Sequence, residues 1–562
     1  METAPYKEWL DKSIVFLLEV NWGGFTYRFS TFPVIVTDGE KSYQFRGGLP
    51  DPEITLELQP GINPEGSSVP FALNFPVDIS DKQAAYNLID GASGILSYVF
   101  IKNNTVQQEY NNRFIIYKGI ITNPIYGHPD KPKGYVEFSL EDKIEVEDID
   151  ILTAVCGKSG KINNADLTNE EKIAGSPLAD IITGDFIFAD DVHKGKQAPI
   201  VLGRSAFAYS SLSTMTARDI KNSPAYMIGH GVQYQHILIA GHLTDATNIK
   251  IYDSKGNSET GSITTWTNSS GDIFSFATYN YLTGALEEAW QVGKEDISYW
   301  AVWDTGGGLP SPYRSGSLEG GGDIIMWALS LAKVQMDYDN ITSFMPQLNR
   351  YKFAGYINES VTPLEFLQEH IIAFLPVELS VGANGLRLIQ NLFVTDQHIQ
   401  PIETITADCS FYRSGAIQTE SEPSNIINQI TLEYAKSGML DKYNNKIQIT
   451  PDKTGAKWFE STTDYSYRSF QMFGRRSAEI QCDYVFDFAT ATQIAQDIVK
   501  ANCFPVRSLE YIAAPKWGFL WVGDIIELTD SDIGLNAVKC QITGKQWTGT
   551  SWQYALKMEN TG

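Results

Sequence analysis

The sequence predicts a mainly β protein with α+β parts, with a compact β-barrel or sandwich near its start and a second barrel at its end. The chain has 562 residues and a mass of 62.6 kDa, too long for one hydrophobic core, so several domains are expected. Aromatic residues make up 12% of it and glycines number 46, a mixture suited to paired strands and tight turns. With 43% hydrophobic and 20% charged residues, general disorder is excluded.

The first region, residues 1–150, is predicted to be the first β-barrel. It opens on an apolar run, then Gly23-Gly24, then Phe25, Tyr27 and Phe29 alternating with polar residues, which indicates a hairpin with a glycine turn. Further strand-like segments are VPFALNFPVDIS, GILSYVFIKNN, NRFIIYKGIITNPIYG and KGYVEFSLEDK. Turn-bounded strands at this spacing favour a barrel or sandwich over roughly residues 10–145.

The second region, residues 151–320, is predicted to be a linker followed by a smaller β-rich domain. The stretch 150–195 is rich in Ala, Gly and Asp and is typical of a linker with short helical pieces. Strands are expected in APIVLGRS, HILIAGHL, NIKIYDSKGN and ISYWAVWD. The loop-like stretch TGGGLPSPYRSGSLEGGG breaks any periodicity and predicts a boundary near 305–322.

The third region, residues 321–422, is predicted to combine helices with a β-hairpin. Asp323 is expected to cap a helix through IIMWALSLAKVQM. A second helix is expected to start at Thr362, with Pro363 at its first position and Glu365 completing a capping box. Its apolar stripe is Leu364, Leu367, Ile371 and Phe374. A hairpin follows, in which Asn384-Gly385 predicts a type I′ turn between two alternating strands.

The last region, residues 423–562, is predicted to be a second barrel with one helix across it. NIINQITLEYA alternates like a strand and is followed by a polar, turn-rich stretch, MLDKYNNKIQITPDKTGAKW. Residues 487–502 predict a helix whose apolar stripe is Ala491, Ile494, Ala495, Ile498 and Val499. The closing strands are expected in LEYIAAP, WGFLWVGDIIELTD and AVKCQITGKQWTGTSWQYALKME.

The charge balance argues against a protein that holds nucleic acid tightly. There are 43 basic and 67 acidic residues, a net charge of −24. Tight nucleic-acid binding needs a basic footprint, because neutralising phosphates supplies much of the affinity. An acidic surface suits either a wall past which nucleic acid slides or a solvated surface that keeps a large assembly soluble.

The cysteines and the N-terminus predict a protein made in the cytoplasm. Five widely spaced cysteines (Cys156, Cys409, Cys482, Cys503 and Cys540) form no CxxC pair and are expected to be small buried side chains in a reducing compartment. METAPYKEWLDK lacks the layout of a secretory signal. Residues 223–244 carry no charge but contain one proline together with glycines, glutamines and histidines, so no stable membrane insertion is predicted.

Three evenly spaced histidines are candidate metal ligands. His230, His236 and His242 are six residues apart, so on one strand they would face the same way but lie about 20 Å from one another. That separation is far beyond a shared coordination sphere. Ordinary strand histidines are therefore predicted, with no metal site.

Catalytic motifs are also not found. Asp190-Asp191 with His193 could form a hydrolytic cluster, but neighbouring lysines and a glycine favour an exposed loop. GxSxG, HExxH and paired-cysteine motifs do not occur, and the glycine-rich stretch 306–322 lacks the lysine of a phosphate-binding loop. Paired glycosidase carboxylates stay open, since their spacing is spatial. No catalytic, cofactor-binding or metal residue, no cofactor and no enzymatic activity are predicted.

Two aromatic clusters have competing interpretations. They are Tyr299, Trp300 and Trp303 in ISYWAVWD, and Trp517, Phe519 and Trp521 in KWGFLWVGD. Such residues stack on sugars in carbohydrate-binding proteins, but alternating aromatics on a strand more often fill a core or a subunit interface. A core or interface role is favoured.

The order of these segments resembles the tail hub proteins of long-tailed bacteriophages and related gene transfer agents. The opening IVFLLEVNWGGFTYRFST is similar to the first strands of such hubs, and YMIGHGVQYQHILIAG followed by NIKIYD resembles their second β domain. YINESVTPLEFLQEHIIAFLPVELSVGANGLRLI resembles the family's helix-then-hairpin insert. NQITLEYA, the helix 487–502 and APKWGFLWVGDIIELTD resemble its second barrel. Each motif is weak alone; their co-linear order carries the likeness.

The resemblance implies a homotrimer in which two tube-like β-barrels of common ancestry flank two smaller domains. Three such chains present six similar barrels and continue the sixfold symmetry of the tail tube at the virion tail tip. The implied partners are the tail tube or distal tail protein, the tape measure protein and a central fibre or spike, with DNA only in transit. Fused lysozyme or peptidase motifs and long C-terminal fibre segments, which some hubs carry, are not seen here.

Two function classes follow from the sequence. The preferred one is a structural virion protein, a trimeric hub that joins the tube to the tip and lines or plugs the DNA exit channel. The alternative is a tail-associated carbohydrate-binding protein or polysaccharide depolymerase, based on the aromatic content and the acidic composition. An adhesin-like receptor-binding protein is less favoured, because fibre-like repeats are missing.

Overall fold

The fold is described from a computed structural model of the chain. The residues that it describes are 13–57, 68–78, 88–141, 146–147, 149–164, 182–183, 186–189, 195–203, 223–230, 234–244, 249–253, 257–280, 299–302, 307–382, 384–391, 401–406, 410–412, 418–419, 425–437, 441–451 and 460–559. Strands dominate these residues, so the predicted mainly β class is confirmed.

The first region forms one nine-stranded sheet in the order β3-β4-β2-β1-β7-β9-β10-β6, with β8 paired to β7. Its strands, together with β5, are β1 (Ser13–Trp22), β2 (Phe25–Ser30), β3 (Val34–Asp38), β4 (Lys41–Gly47), β5 (Thr55–Glu57), β6 (Ser68–Asn74), β7 (Ser93–Lys102), β8 (Thr105–Val106), β9 (Phe114–Tyr126) and β10 (Tyr135–Glu141). The predicted hairpin is confirmed, since β1 pairs with β2 up to Trp22 opposite Phe25, and both Gly23 and Gly24 have positive φ.

This first sheet is curled. The ring of Phe75, directly after β6, lies 5.0 Å from that of Phe29 and 5.4 Å from that of Tyr27, both on β2. Because β2 and β6 are separated by four strands in the sheet, these contacts require the sheet to bend round on itself. Among the described residues the two strands share no ladder, so closure into a tube-like barrel stays a prediction.

The middle of the chain contains small sheets and one of seven strands, in the order β18-β17-β21-β15-β16-β20-β19. The strands from here to the third region are β11 (Ile162–Asn164), β12 (Ile182–Thr183), β13 (Phe186–Ala189), β14 (Ile200–Leu202), β15 (Ser223–His230), β16 (Tyr234–Ala240), β17 (Lys250–Asp253), β18 (Ser258–Thr260), β19 (Ser262–Thr267), β20 (Ile273–Asn280), β21 (Tyr299–Val302), β22 (Gly355–Ile357), β23 (Val377–Gly382) and β24 (Gly385–Gln390). Much of the uncharged stretch 223–244 thus forms strands.

The last region contributes two sheets. Its strands are β25 (Glu403–Thr406), β26 (Ser410–Tyr412), β27 (Gln418–Thr419), β28 (Gln429–Ser437), β29 (Lys442–Ile449), β30 (Ser477–Gln481), β31 (Arg507–Ala513), β32 (Ile525–Asp530), β33 (Leu535–Trp547) and β34 (Trp552–Met558). One sheet has the order β25-β32-β33-β34-β31-β26 and the other β29-β28-β30. The stretch predicted to be rich in turns contains strand β29. In this largely polar strand, Ile447 and Ile449 alternate with Gln448 and point inward.

Six α-helical segments lie among the described residues. They are α1 (Ile151–Cys156), α2 (Gly321–Leu331), α3 (Tyr338–Leu348), α4 (Pro363–Phe366), α5 (Glu460–Phe473) and α6 (Phe488–Asn502). The chain continues from α4 through a π-helical turn at Leu367–Ile371 and a 3-10 turn at Ile372–Phe374; other 3-10 turns are Tyr110–Asn112, Lys158–Gly160, Pro515–Phe519 and Ser531–Ile533. The predicted helix 487–502 is confirmed, with Asp487 accepting a hydrogen bond from the Thr490 amide.

The predicted cap of helix α2 and the predicted turn of the hairpin differ in detail from the structure. Helix α2 is preceded by Gly320, so Asp323 lies in its first turn instead of capping it; the side chain is buried and pairs with Arg314. The Thr362 cap is confirmed, because its side chain accepts from the Glu365 amide. In the hairpin, Gly382 pairs with Gly385. The connecting positions are therefore 383 and 384, one residue earlier than expected, and Gly385 takes the positive φ of +113°.

Two large hydrophobic cores organise the chain. One gathers buried residues from 151 to 503, including α2, α6 and β28. The other combines buried residues of the first region with Ile405 and residues 509–558. The two ends of the chain thus share a core, while the helix 488–502 packs with the middle of the chain. The four predicted domain ranges stay predictions.

Candidate functional site

The joint between the first and last sheets is the candidate structural site. Strand β5, which follows the first sheet's β4, pairs antiparallel with β33 through Thr55–Gln546 and Glu57–Gly544. The Trp547 amide also donates to the Ile54 carbonyl at 3.0 Å. A strand from one end of the chain therefore completes a sheet built by the other end.

Aromatic side chains fill the joint. The ring of Phe16 on β1 lies 5.3 Å from that of Trp547 on β33, and the ring of Phe114 lies 5.9 Å from that of Phe519. The buried Tyr98 hydroxyl donates to the Pro515 carbonyl at 3.0 Å. The turn Pro515–Phe519 is thus held between the two sheets, and rigid aromatic packing of this kind fixes their relative position.

Lys545 on β33 is a buried cation next to this turn. Its Nζ donates to the carbonyls of Gly518 at 2.5 Å and Leu520 at 2.9 Å and lies 4.5 Å from the centre of the Trp552 ring. Burial lowers the pKa of Lys545 to about 7, although the negative charge of Asp524 raises it. The lysine therefore links the aromatic turn to the sheet through backbone carbonyls, and within the described ranges no carboxylate forms an ion pair with it.

The first sheet carries a buried anion. Glu19 on β1 is 2% exposed and is held by Arg28 at 2.8 Å and Arg113 at 2.9 Å, while the Tyr110 hydroxyl donates to it at 2.8 Å. The Arg113 guanidinium lies 4.0 Å from the Tyr110 ring centre. This network lies on the face of β1 opposite the shared core, next to the small core of Val15, Leu17 and their neighbours.

A polar cavity of about 390 Å³ lies near the end of β28. Its walls include the rings of Tyr356, Phe366, Tyr484 and Phe486, and its rim includes Glu359, Glu365 and Glu369. Lys436 also lines it, but its Nζ is bound by Asp483 at 3.1 Å and Asp441 at 3.5 Å. The cavity is therefore lined by aromatic residues and His370 and has exposed glutamates at its rim.

The predicted histidines are separated by the fold. His230 ends β15, His236 lies on β16 and His242 follows β16, so the three histidines do not share one strand. The His236 Nδ1 lies 2.9 Å from the Thr278 hydroxyl, whereas the His242 Nε2 accepts from the Val201 amide at 3.1 Å. Both are buried structural side chains. Among the described residues no group of His, Cys, Asp and Glu is arranged to hold a metal ion.

The other candidates have mixed outcomes. Tyr299 and Trp517 are buried in cores, as the core interpretation predicts, but residues 515–519 form a 3-10 turn instead of a strand. Cys156, Cys482, Cys503 and Cys540 are buried, and burial raises the pKa of Cys156, Cys503 and Cys540 to about 12. Asp190, Asp191, His193, Trp303 and Cys409 lie outside the described residues.

Sequence reasoning missed Glu19, Lys545 and α5. Glu19 had a visible signal, a carboxylate inside the apolar run SIVFLLEVNW, and a charge in a buried strand needs partners. Lys545 had none, because its partners are backbone carbonyls of a turn far away in sequence. In the described part of the chain, every helix is too short or too polar to cross a bilayer.

Comparisons with known proteins give only structural neighbours; no family model and no curated protein matches the sequence. The 43 kDa tail protein of prophage MuSo2 from Shewanella oneidensis is 10% identical, with a TM-score of 0.30 over 97% of this chain and 98% of that one. A chain of a native gene transfer agent virion is 10% identical, with a TM-score of 0.36 over 64% and 88%. A prophage tail protein of Listeria monocytogenes is 11% identical, with a TM-score of 0.24 over 55% and 94%. The neighbours are thus tail and virion proteins, the class that the sequence resembles.

Proposed function

We propose that this chain is a structural virion protein, a trimeric tail hub that joins the sixfold tail tube to the tail tip and lines or plugs the DNA exit channel. The observation that carries the proposal is the joint: β5 of the first region completes the sheet of the last region, and both sheets share one core. Each subunit therefore offers two β-sheets that are joined through one core, and the proposal takes them as its two tube-like units.

The symmetry argument follows from that arrangement. A threefold assembly of subunits with two similar units each presents six units around the axis, which matches a sixfold tube without six identical chains. The proposal needs each terminal sheet to act as a tube-like segment. It also needs the joint to be rigid, because a loose joint would let the two units of one chain move independently, and the aromatic packing at 515–519 provides that rigidity.

The charge of the chain fits a channel through which DNA passes. A net charge of −24 disfavours adhesion of phosphates, because a passage that binds its cargo slows it. In this role the protein acts by assembly and opening, without catalysis. Its proposed partners are the tail tube or distal tail protein, the tape measure protein and a central fibre or spike, and its proposed place is the virion tail tip after synthesis in the host cytoplasm.

The carbohydrate alternative is based on the aromatic content and the acidic composition. Of its aromatic clusters, Tyr299 is 1% and Trp517 5% exposed, so these two rings are not open to a sugar, whereas Trp300, Phe519 and Trp521 are half-buried. A glycan array probed with the purified chain checks this directly, and we expect no binding above background.

Solution mass by light scattering, followed by class averages in the electron microscope, tests the hub. We expect a particle of three chains of 62.6 kDa each, with six similar features around its axis. A particle with two or four chains, or a trimer that is only threefold at every radius, would contradict the proposal. A chain that stays monomeric both alone and with tail tubes present would contradict it too.

A further inference from the structure

Residues 515–524, which connect β31 to β32, are held by side chains from distant parts of the chain. Five of their backbone carbonyls accept hydrogen bonds from four such side chains: Tyr98 at Pro515, Tyr554 at Trp517, Lys545 at Gly518 and Leu520, and Arg387 at Val522. Because a buried carbonyl without a partner is costly, the shape of residues 515–524 depends on these donors. We name residues 515–524 the coupling segment.

The four donors come from three parts of the molecule. Tyr98 lies on β7 of the first sheet, Lys545 and Tyr554 lie on β33 and β34 of the last sheet, and Arg387 lies on β24 of the hairpin β23–β24. The buried apolar side chains of this hairpin belong to the core of the middle of the chain. Tyr98 and Tyr554 belong to the core that the two terminal sheets share. The coupling segment therefore contacts elements that are anchored in both cores.

One carboxylate connects the hairpin to Lys545. The Asp524 Oδ1 accepts a hydrogen bond from the Arg387 Nη1 at 3.0 Å, and its Oδ2 accepts one from the Trp521 amide at 2.7 Å. The Leu520 carbonyl, which belongs to the same peptide group as the Trp521 amide, accepts from the Lys545 Nζ at 2.9 Å. An anion at the N–H and a cation at the C=O polarise this peptide group in the same direction, so each hydrogen bond strengthens the other.

The hairpin end of this chain of hydrogen bonds is tightly packed. The Arg387 and Asp524 side chains are 13% and 8% exposed, so water competes little for their ion pair. Beside them, Gly523 has a φ of +96°, and a Cβ at this position would lie 2.5 Å from the Ile389 Cδ1. The hairpin thus contacts the backbone of the coupling segment directly, and a shift of the hairpin would disturb the Asp524 carboxylate.

We propose that the hairpin β23–β24 acts as a latch on the joint between the first and last sheets. With Arg387 bound to Asp524, the carboxylate orients the peptide group that Lys545 holds, and the turn Pro515–Phe519 is fixed between the two sheets. When the hairpin moves away, this orientation is lost, the hydrogen bond from Lys545 weakens and the turn loosens. The latch acts within one chain, so it goes beyond the proposed assembly and does not depend on it.

Hydrogen exchange measured by mass spectrometry on the full chain tests the latch. Arg387→Met removes the guanidinium that binds Val522 and Asp524. We expect the amides of Trp517 and Leu520, which donate to carbonyls within residues 514–517 at 3.1 Å, to exchange roughly 10-fold faster in this variant. Overlapping peptides have to separate residues 515–520 from residues 521–524, because only the former report on the turn.

Lys118→Met is the matched control. It also replaces a cation that binds the hairpin, since the Lys118 Nζ donates to the Asn384 side chain at 2.9 Å, but this contact is exposed and lies at the hairpin's turn. We expect exchange in residues 515–520 to change by less than about twofold in this variant. Thermal melting of each variant shows whether it is folded.

Arg387→Lys is the second variant, for use if Arg387→Met does not fold. It keeps a positive charge beside Asp524 but loses the planar fork that also reaches Val522, and exchange in residues 515–520 should be roughly threefold faster. Faster exchange confined to the hairpin and residues 521–524 would overturn the latch, as would an equal effect of Lys118→Met. Either result leaves the number of chains in the particle, and with it the proposed function, untouched.

Discussion

The two terminal sheets each bury a charge, and they stabilise it by opposite means. In the first sheet, Glu19 is surrounded by two guanidinium groups and a tyrosine hydroxyl. In the last sheet, the Lys545 ammonium meets backbone carbonyls and an indole face. The first charge is compensated by full opposite charges in direct contact. The second is in direct contact with dipoles, and the charge of Asp524 acts on it from a greater distance.

The difference determines how each sheet responds to change. A buried carboxylate held by guanidinium groups depends most on the buried one, Arg113, staying in place, because a buried charge that loses its buried partner is costly. An ammonium held by dipoles can release its proton instead, which is the usual response of a buried lysine. The first sheet should therefore be sensitive to mutation at its ion network, and the last sheet sensitive to pH.

Removing the anion gives the largest expected effect. Glu19→Ala leaves Arg113, whose side chain is 9% exposed, buried without a carboxylate. We expect a loss of about 3–5 kcal/mol in the free energy of unfolding, measured by urea denaturation followed by tryptophan fluorescence. Glu147→Ala is the control, since its ion pair with Lys333 is exposed and should contribute under about 1 kcal/mol. Equal losses in the two variants would show that the Glu19 network is not special.

Weakening the joint tests whether the first and last sheets unfold as one cooperative unit. Leu56 on β5 is 3% exposed within the shared core, and Leu56→Ala should cost about 2–5 kcal/mol. If the sheets unfold together, hydrogen exchange should speed up in both β1 and β33. Faster exchange confined to β5 and β33 would mean that the first sheet is stable on its own, against the rigid joint proposed above.

The buried lysine is expected to make stability rise with pH. Its folded pKa of about 7 lies below the ordinary 10.5, so the unfolded chain binds more protons between these values, and stability grows as pH increases through that window. Between pH 7 and pH 8.5 the gain is about 1.5 kcal/mol. Burial raises the pKa of the cysteine thiols in the folded chain, so the unfolded chain loses these protons first, from about pH 8 upwards, and the cysteines oppose the gain from Lys545. Their contribution cancels when wild type is compared with a variant that keeps the cysteines.

Lys545→Met isolates this contribution. The variant keeps the long side chain over Trp552 but has no titrating group. The difference in the free energy of unfolding between wild type and variant should therefore change by about 1.5 kcal/mol from pH 7 to pH 8.5. The absolute stability of the variant is not the readout, because the carbonyls of Gly518 and Leu520 lose a donor. Parallel pH profiles would show that the lysine stays protonated in the folded protein.

The parts of the fold that the sequence predicts correctly are those set by residues close together in the chain. The hairpin at Gly23-Gly24, the Thr362 cap and the helix ending at Asn502 each depend on residues within one or two turns of each other, and all three are found. Strand β29 was missed because its outward residues are polar and only Ile447 and Ile449 show the period of two. Helix α5 was missed because its buried residues are serines, which hide the helical stripe.

The candidate site depended on contacts that no local pattern contains. Strand β5 pairs with residues almost 500 positions later, and Tyr98 bonds to Pro515. A three-residue strand beside a proline-containing loop gives no signal for its partner. The sequence predicts that the aromatic residues of KWGFLWVGD fill a core. It does not predict that they connect the last sheet to the first.

The smallest expected effect separates the two arginines that hold Glu19. The Arg28 side chain is 27% exposed, whereas that of Arg113 is 9% exposed. Water can replace part of what Arg28 supplies, so Arg28→Ala should cost about 1 kcal/mol or less and lose most of its effect at high salt. Arg113→Ala should cost more and depend little on salt, because both charges of that pair are shielded from solvent. Equal losses of stability in the two variants, both reduced by salt, would mean that water screens the Glu19 carboxylate. Glu19 and Lys545 would then differ in the sign of their charge but not in how that charge is compensated.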